Sequence, residues 1–414
     1  MLSEKEKLDT LTRLGVDLNR VQDVDILMER ILTEARRFVN ADAGSIYIRD
    51  KDKLYFTYTQ NETLQQRLHE GEKLIYSTFT VPINKNSIAG YVADTGQPLN
   101  LSDVYRIDST RPYHFDKEFD EATRYVTRSV LTLPLITSNG AVLGILQIIN
   151  AQSESGQVIP FTFSDEQMMM HFASVAAVAL ARAQMTRAIL LRMMKMAEMR
   201  DPKETGAHVN RVGGYAVEIY EKWALRHNCS QKEVDKNRDI LRMASMLHDV
   251  GKVAISDLIL KKPGRFDANE FEIMKKHTLY GAQLFLDRQS DFDEAAAQVA
   301  LNHHERWDGE GYPGRVDVKT GKPLEGSSCF DGKACGKKAE EIPLYGRIVA
   351  IADVFDALST QRVYKEAWDE SDVLAKIEEG AGRHFDPELV EIFLSCLDII
   401  RSIQRRYQDE ATNV

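Results

Sequence analysis

Glu204, His208, His248-Asp249, His277 and the adjacent pair His303-His304 place seven carboxylate and imidazole side chains along the second half of the sequence, and Asp353 adds an acidic group inside an apolar run. Histidine is scarce, ten in 414 residues, and five of the ten fall in this series. Imidazoles and carboxylates recurring on successive helices converge at a bundle core, where cations are held by inward-facing side chains. The plain alternative is a scatter of core histidines, but each one sits in a polar or glycine-flanked stretch rather than on an apolar stripe. No cysteine joins the series, which argues against a thiolate zinc site. Mixed imidazole and carboxylate ligation suits iron or manganese, and zinc less well. Metals a few ångströms apart lower the pKa of a bridging water and clamp a phosphoryl oxygen, so the expected chemistry is phosphoester hydrolysis. Lys252, Arg362 and Lys365 would supply positive charge to hold phosphates, unless they are ordinary surface cations.

Helices must carry these groups. Asp201-Pro202 reads as a helix start, after which Glu204 and His208 stand four apart and share a face, although Gly206 weakens the helix locally. The apolar run Ile240–Leu247 delivers His248-Asp249 at its end, where Gly251 turns the chain. Asp267 caps the next helix with Glu270 three residues on, and His277 lies toward that helix's C-terminal end. His303 and His304, if helical, point about 100° apart and could serve different metals. Asp353 lies in Ile348–Phe355, where an ionised carboxylate is costly without a compensating cation.

The first half is organised differently. Residues 1–40 read as helical, followed by strands at Ser45–Ile48, Leu54–Tyr58 and Ser129–Leu135, with Asn139-Gly140 turning into a further strand at Ala141–Ile149. This is an α+β module. A long helix then starts at Ser164, read as the N-cap with Asp165 and Glu166 in the first turn, and runs to about Arg200. Met169, Phe172, Ala176, Ala179, Ala183, Thr186, Leu190, Met193 and Ala197 repeat along it at steps of three and four, a heptad seam expected to pair two chains. The alternative is that this stripe packs only on its own domains.

Three stretches, Ala43–Tyr47, Ser87–Ala93 and Leu146–Asn150, make residues 20–185 resemble a GAF domain, a small-molecule sensor with an antiparallel sheet flanked by helices. Some members that bind cyclic nucleotides share an Asn-Lys…Phe-x3-Asp-Glu signature. Asn150, Phe161, Asp165 and Glu166 match it, but Ala151 stands at the lysine position, so that ligand is not implied and the sensor's ligand stays unassigned. In the second half, Glu204-Thr205-Gly206-x-His208, His248-Asp249-x-Gly251-Lys252, His303-His304-Glu305-x2-Asp308-Gly309-x-Gly311-Tyr312-Pro313, Asp353-x2-Asp356-Ala357-Leu358 and Arg362-x-Tyr364-Lys365 resemble an HD-GYP domain over residues 188–405. This is the cyclic di-GMP phosphodiesterase branch of the HD superfamily.

That resemblance implies His248, Asp249, His277, His303, His304 and Asp353 as metal ligands with Asp249 bridging. Glu204 and His208 would add a third site, giving two or three iron ions, manganese being the alternative. It also implies Asp249 and Lys252 as catalytic residues, and Lys252, Arg362 and Lys365 as phosphate contacts. Gly311, Tyr312 and Pro313 would shape the cleft and touch a diguanylate cyclase, while Asp308 and Asp356 read as supports either of the ligands or of the fold around them. The expected activity is hydrolysis of cyclic di-GMP to pGpG and on to GMP, controlled by the sensor module in bacterial second-messenger signalling. Another cyclic dinucleotide such as cyclic GMP-AMP, or a catalytically silent nucleotide-responsive adaptor, are the rival readings. The sequence departs from the family at Arg315–Lys338, an insertion rich in Gly, Lys and Ser that carries Cys329 and Cys335. An exposed hairpin is the expectation; a lid over the cleft, or a redox or metal-binding pair, are the alternatives.

The expected architecture is therefore an N-terminal helix (1–19), a GAF module (20–185), a connecting and dimerising helix (164–200), an all-α HD-type bundle (188–405) and a tail (406–414). Composition agrees with this. The apolar fraction is 43% and the charged fraction 28%, as in globular proteins generally. A net charge of −10 excludes a general nucleic-acid polymer binder, which needs a basic excess to release counterions. Four cysteines make no disulfide framework, no uninterrupted apolar run approaches the length of a membrane span, and the charged first residues do not resemble a secretory leader. A cytoplasmic homodimer without membrane insertion is expected.

Overall fold

Asn139 and Gly140, the latter at φ +82°, turn the chain between β5 (Val130–Ile136) and β6 (Val142–Gln152), and the Thr137 amide donates to the Ala141 carbonyl at 2.9 Å. The other strands are β1 (Ala41–Asp50), β2 (Lys53–Asn61), β3 (Thr80–Pro82), β4 (Leu99–Leu101) and β7 (Val158–Ile159). They form one antiparallel sheet in the order β3-β2-β1-β6-β5-β4, with β7 on β6. This is a computed structural model that describes residues 12–68, 79–198, 206–330, 332–360 and 368–407. The chain divides at Arg187/Ala188 into two units.

In the first unit, helix α1 (Val24–Phe38) starts at Asp23, whose carboxylate accepts the amides of Asp25 and Ile26. Leu27, Ile31 and Leu32 from α1 meet Ile46, Leu133, Leu146 and Ile148 from the sheet and Met169, Phe172 and Ala176 from helix α3 (Phe163–Glu198). A second helix, α2 (Ile88–Thr95), packs Ala89, Val92 and Ala93 against Tyr47, Leu54 and Ile145. The α+β reading holds for this unit.

Two expectations about α3 need correction. Its N-cap is Thr162, not Ser164: Thr162 Oγ1 accepts the Asp165 amide at 3.1 Å, and the Asp165 carboxylate accepts the Thr162 amide at 2.9 Å. Asp165 thus serves as a helix-capping charge. The second correction concerns the heptad seam. Met169, Phe172, Ala176, Ala179 and Ala183 are fully buried in the core of their own unit, so this part of the seam has no surface to offer another chain. Among the described side chains, the large apolar groups left exposed on α3 are Phe163, Val178, Met185, Ile189, Met193 and Met196. By length and mean hydropathy (1.3), Phe163–Met196 also reaches the range of a membrane-crossing helix, contrary to the sequence reading. Its buried face up to Ala183 belongs to the core just described, and Leu190 and Met194 are buried with Val209, Met243 and Met246.

The second unit is helical. Helices α4 (Gly206–Arg226), α5 (Gln231–Met246), α7 (Asp291–Asn302), α8 (Leu344–Ser359), α9 (Glu370–Glu379), α10 (Pro387–Leu394) and α11 (Leu397–Arg406) pack around Tyr215, Leu241, Val299, Ile348, Ile351 and Phe355, and α6 (Ala268–Gln283) lies against α7. Ser230 and Asp267 form capping boxes with Glu233 and Glu270, as the spacing predicts for the latter. The insertion is the expected exposed hairpin, with antiparallel bridges at Val316/Pro323 and Ser328/Ala334, but it is tied down. Cys329 and Cys335 are joined in a disulfide, Lys333 pairs with Glu272 of α6 at 2.9 Å, and Gln283 donates to the Val318 carbonyl at 2.8 Å. It is therefore docked along α6, with one local bridge rather than a disulfide framework.

Candidate metal centre

Each ligand candidate among the described residues is delivered by the end or inner face of a helix. His208 sits in the first turn of α4. Helix α5 stops at Met246, and a short 3₁₀ turn (Val250–Ala254) swings His248 and Asp249 inward. His277 projects from α6, His303 caps the C-terminal end of α7 with His304 just beyond, and Asp353 lies on α8. Five of the bundle's segments thus aim polar side chains at one place.

Two clusters result. Asp249, His277, His303 and His304 offer ligand atoms all within 4.8 Å of one another, and so do His208, His248 and Asp353. In the first, Asp249 Oδ1 lies 3.1 Å from His277 Nε2 and 3.6 Å from His303 Nε2. In the second, Asp353 Oδ1 lies 3.6 Å from His208 Nε2 and 3.8 Å from His248 Nε2. The other oxygen of Asp249 faces His248 Nε2 at 3.4 Å, so this one carboxylate addresses both clusters. His303 and His304 do not diverge as an ideal helix would make them. Helix α7 ends at Asn302, and both rings enter the same cluster, with centroids 4.1 Å apart.

Sequence comparison agrees with this arrangement. The HD domain family matches residues 205–358, a second HD family matches 329–389, and the GAF domain family matches 23–180. The chain joins a GAF domain to an HD domain. It is 38% identical over 207 residues to a 3'3'-cGAMP-specific phosphodiesterase 2 of Vibrio cholerae serotype O1, a match covering 50% of this chain and 34% of the relative. It is 37% identical over 227 residues to a cyclic di-GMP phosphodiesterase of the same organism, covering 54% of this chain and 42% of the relative. The chain thus spans less than half the length of either. Among solved structures, it is similar to the GAF domain of an Acinetobacter phosphoenolpyruvate-protein phosphotransferase (TM-score 0.33, 16% identity, 44% of this chain and 98% of that one).

The HD domain's histidines are oriented by their other ring nitrogens. Nδ1 of His248 lies 2.9 Å from the Ser245 carbonyl, that of His277 lies 2.7 Å from the Met274 carbonyl, and that of His303 lies 3.1 Å from the Val299 carbonyl. A carbonyl only accepts, so each Nδ1 carries the proton. In neutral rings Nε2 is then a lone pair. The Nε2 atoms of His277 and His303 are 3.5 Å apart and both face Asp249 Oδ1. Lone pairs aimed at a buried carboxylate repel unless a cation lies among them, so this donor set fits a divalent metal.

Electrostatics point the same way. Burial pushes His303 down, and burial together with the neighbouring His303 and His277 pushes His304 well below the usual imidazole range, which keeps lone pairs available. Burial would raise Asp249, but Lys252 and His248 outweigh it and hold the carboxyl well below the ordinary range. Lys252 Nζ lies 2.6 Å from Asp249 Oδ2, so the lysine expected to contact phosphate also neutralises the shared carboxylate.

Around the HD domain's clusters, Tyr312 packs its ring 4.9 Å from that of His304 and forms a wall, with a cis bond to Pro313. Gly311 makes that loop possible, since a β-carbon there would fall 2.2 Å from the Arg306 amide nitrogen. Asp308 pairs with Arg306 at 2.6 Å and supports the loop rather than the ligands. Asp356 is buried and accepts from His208 Nδ1 at 2.8 Å. Glu204, Arg362 and Lys365 lie outside the described residues.

Sequence reasoning gave no role to Arg211, Glu305 or Gly281. Arg211 stands three residues after His208 on the same helix, a spacing that could have suggested a shared face. Glu305 follows the histidine pair directly; its carboxylate accepts the amides of Gly314 at 2.6 Å and Lys337 at 3.1 Å, closing the base of the insertion.

Proposed function

We propose that this protein is a metal-dependent phosphodiesterase of cyclic dinucleotides, with cyclic di-GMP as substrate, pGpG as first product and GMP as second. The observation that carries the reading is the sharing of Asp249 between two histidine-rich clusters. His277, His303, His304 and Asp249 would hold one cation, and His208, His248 and Asp353 a second. Such paired cations supply a nucleophile at neutral pH and stabilise charge on a phosphoryl group. The chain's own groups do the rest. Lys252 balances the charge of Asp249 and is placed to hold a phosphate oxygen as the ester approaches. Tyr312 walls the His304 side and restricts water there.

Cyclic GMP-AMP is the second reading, because a relative at 38% identity bears that specificity in its name. In this proposal the GAF domain senses an unidentified small molecule, the enzyme acts as a cytoplasmic homodimer, and the metals are iron or manganese, with Glu204 contributing to a third site.

The test is metal analysis and turnover on one anaerobically purified sample offered cyclic di-GMP and 3'3'-cGAMP in parallel. Two to three metals per chain with pGpG or GMP appearing from cyclic di-GMP is the expected result. Preferential loss of 3'3'-cGAMP would move the assignment to the second reading, and a fully metallated protein that cleaves neither would reject both.

A further inference from the structure

His208 differs from the other oriented histidines. Those three hold Nδ1 against backbone carbonyls, whereas His208 Nδ1 lies 2.8 Å from a carboxylate oxygen of Asp356. Asp356 is 1% exposed and is gripped by the Arg211 guanidinium, with Nε donating to Oδ1 at 2.7 Å and Nη2 to Oδ2 at 2.9 Å. Tyr215 adds a 3.2 Å contact from its hydroxyl to Oδ1. Arg211 also donates to the Tyr407 carbonyl at 2.7 Å and lies 3.3 Å from Thr360 Oγ1. One arginine thus ties α4, the end of α8 and the residue after α11 to one carboxylate.

The chemistry follows from this geometry. A fork-to-fork ion pair fixes the plane of the carboxylate, and the guanidinium keeps it ionised and acceptor-only. The proton of His208 is then confined to Nδ1, and Nε2 is presented toward Asp353 Oδ1, 3.6 Å away. An anionic partner also makes an imidazole a stronger donor than a carbonyl partner does.

We propose that Asp356 and Arg211 are a positioning pair for His208, and that they set the cation affinity of the His208–His248–Asp353 cluster without setting that of the Asp249–His277–His303–His304 cluster. This rests on reading both clusters as metal sites. The centre is then asymmetric at its histidines: His277 and His303 in one cluster are oriented by backbone that no side-chain change can remove, whereas His208 in the other depends on a charged pair that a point substitution can.

The test is Mn(II) titration of the metal-stripped 414-residue chain, read by bound stoichiometry and by the electron paramagnetic resonance signal. Wild type is expected to take up at least two equivalents and show a spin-coupled signal. In Asp356→Asn, either amide orientation sets N–H groups against donors of Arg211. One equivalent should therefore weaken by about 10–100-fold, leaving an isolated-ion signal from the other. Arg211→Lys keeps the charge but loses the fork, and should weaken the same equivalent by a smaller factor; it carries the test if the asparagine variant does not fold. Tyr215→Phe removes a contact from the same carboxylate without touching His208 and should keep both equivalents. Wild-type affinity for both equivalents in Asp356→Asn, or equal weakening of both, would overturn the pair's selective role. A wild type that takes up no cation would overturn the cluster reading itself.

Discussion

Gly251 lies against Gly281 so closely that a β-carbon on Gly251 would fall 1.9 Å from the His277 carbonyl oxygen and 2.3 Å from the Gly281 amide nitrogen. The turn carrying His248 and Asp249 is thereby pressed onto the helix carrying His277, and only a residue without a side chain permits it. Gly281 serves the same purpose on its other side, where an added β-carbon would meet that of Ala300 at 3.0 Å. Gly251→Ala must push the turn away from α6. The expected cost is roughly 3 kcal/mol, at the upper end for overpacking, with weaker metal uptake. Denaturant midpoints and metal stoichiometry check this; a variant as stable and as fully metallated as wild type would show that the contact positions nothing.

Asp249 is the next critical group, because its two oxygens face different clusters while Lys252 sits 2.6 Å from one of them. Asp249→Ala is expected to abolish turnover and release metal, and His303→Ala to do the same. Chelation of wild type should lower its unfolding temperature. At a free metal concentration 100 times Kd, bound metal stabilises by about 2.7 kcal/mol per site. Turnover at wild-type rate in either variant, with metal content verified, would remove these residues from the site.

Much of this centre was legible in the sequence because its parts are residue types that are costly to bury without a purpose. His208, His248, His277, His303, His304, Asp249 and Asp353 were all picked out, and the structure brings them into two adjoining clusters. Spacing could not say which cluster each joins. His303 and His304 were expected to diverge because an ideal helix separates neighbours by about 100°, yet α7 ends one residue earlier. The seam on α3 shows the converse limit. A three-four repeat of small apolar residues marks a buried face without naming what buries it, and here the sheet and α1 do so. Thr162 and Ser164 carry the same capping chemistry two residues apart, and only the geometry selects Thr162.

Oligomeric state can now be tested on the other face of that helix. Val178, Met185, Ile189 and Met196 are exposed at intervals of seven, four and seven, a spacing that can pair two chains. If the protein is a homodimer through this face, a Met185→Glu/Ile189→Glu variant should sediment as a monomer. Ala176→Ser, in the buried seam, should leave the assembly state unchanged. An unchanged dimer in the charged variant would place the interface elsewhere.

His384 gives a pH signature that does not involve a ligand. Burial, and then Arg306, push its pKa from 6.5 down to about 4, against opposing pulls from Asp308 and Asp353. Between those values the unfolded chain takes up a proton that the folded chain refuses. Stability is therefore complete above about pH 6.5 and falls as the pH drops toward 4, by on the order of 2–3 kcal/mol from this group. His303 and His304, also lowered, add in the same direction in metal-free protein. In His384→Gln, measured without metal, the slope of unfolding free energy over this interval should be shallower. An identical slope would mean that the ring titrates normally in the fold.

Glu305 supplies the last prediction, since it links the histidine pair to the insertion. Its carboxyl pKa is raised by burial, and the carboxylate accepts the amides of Gly314, just before the inserted segment, and Lys337, near its end. The insertion is thus closed at its base by the residue next to His304, and Lys333 fastens its far part to Glu272. Glu305→Ala leaves two amides without their acceptor, at about 1–3 kcal/mol for each that stays buried. Faster hydrogen exchange at Gly314 and Lys337 and earlier proteolysis within 315–338 are expected. Lys333→Ala, which cuts only the outer tie, should speed proteolysis but spare those two amides. Because Tyr312, two residues before Gly314, packs its ring against that of His304, loosening at Glu305 should also reduce turnover more than the outer cut does. Equal turnover in the two variants would mean that the insertion's base and the metal clusters are mechanically independent.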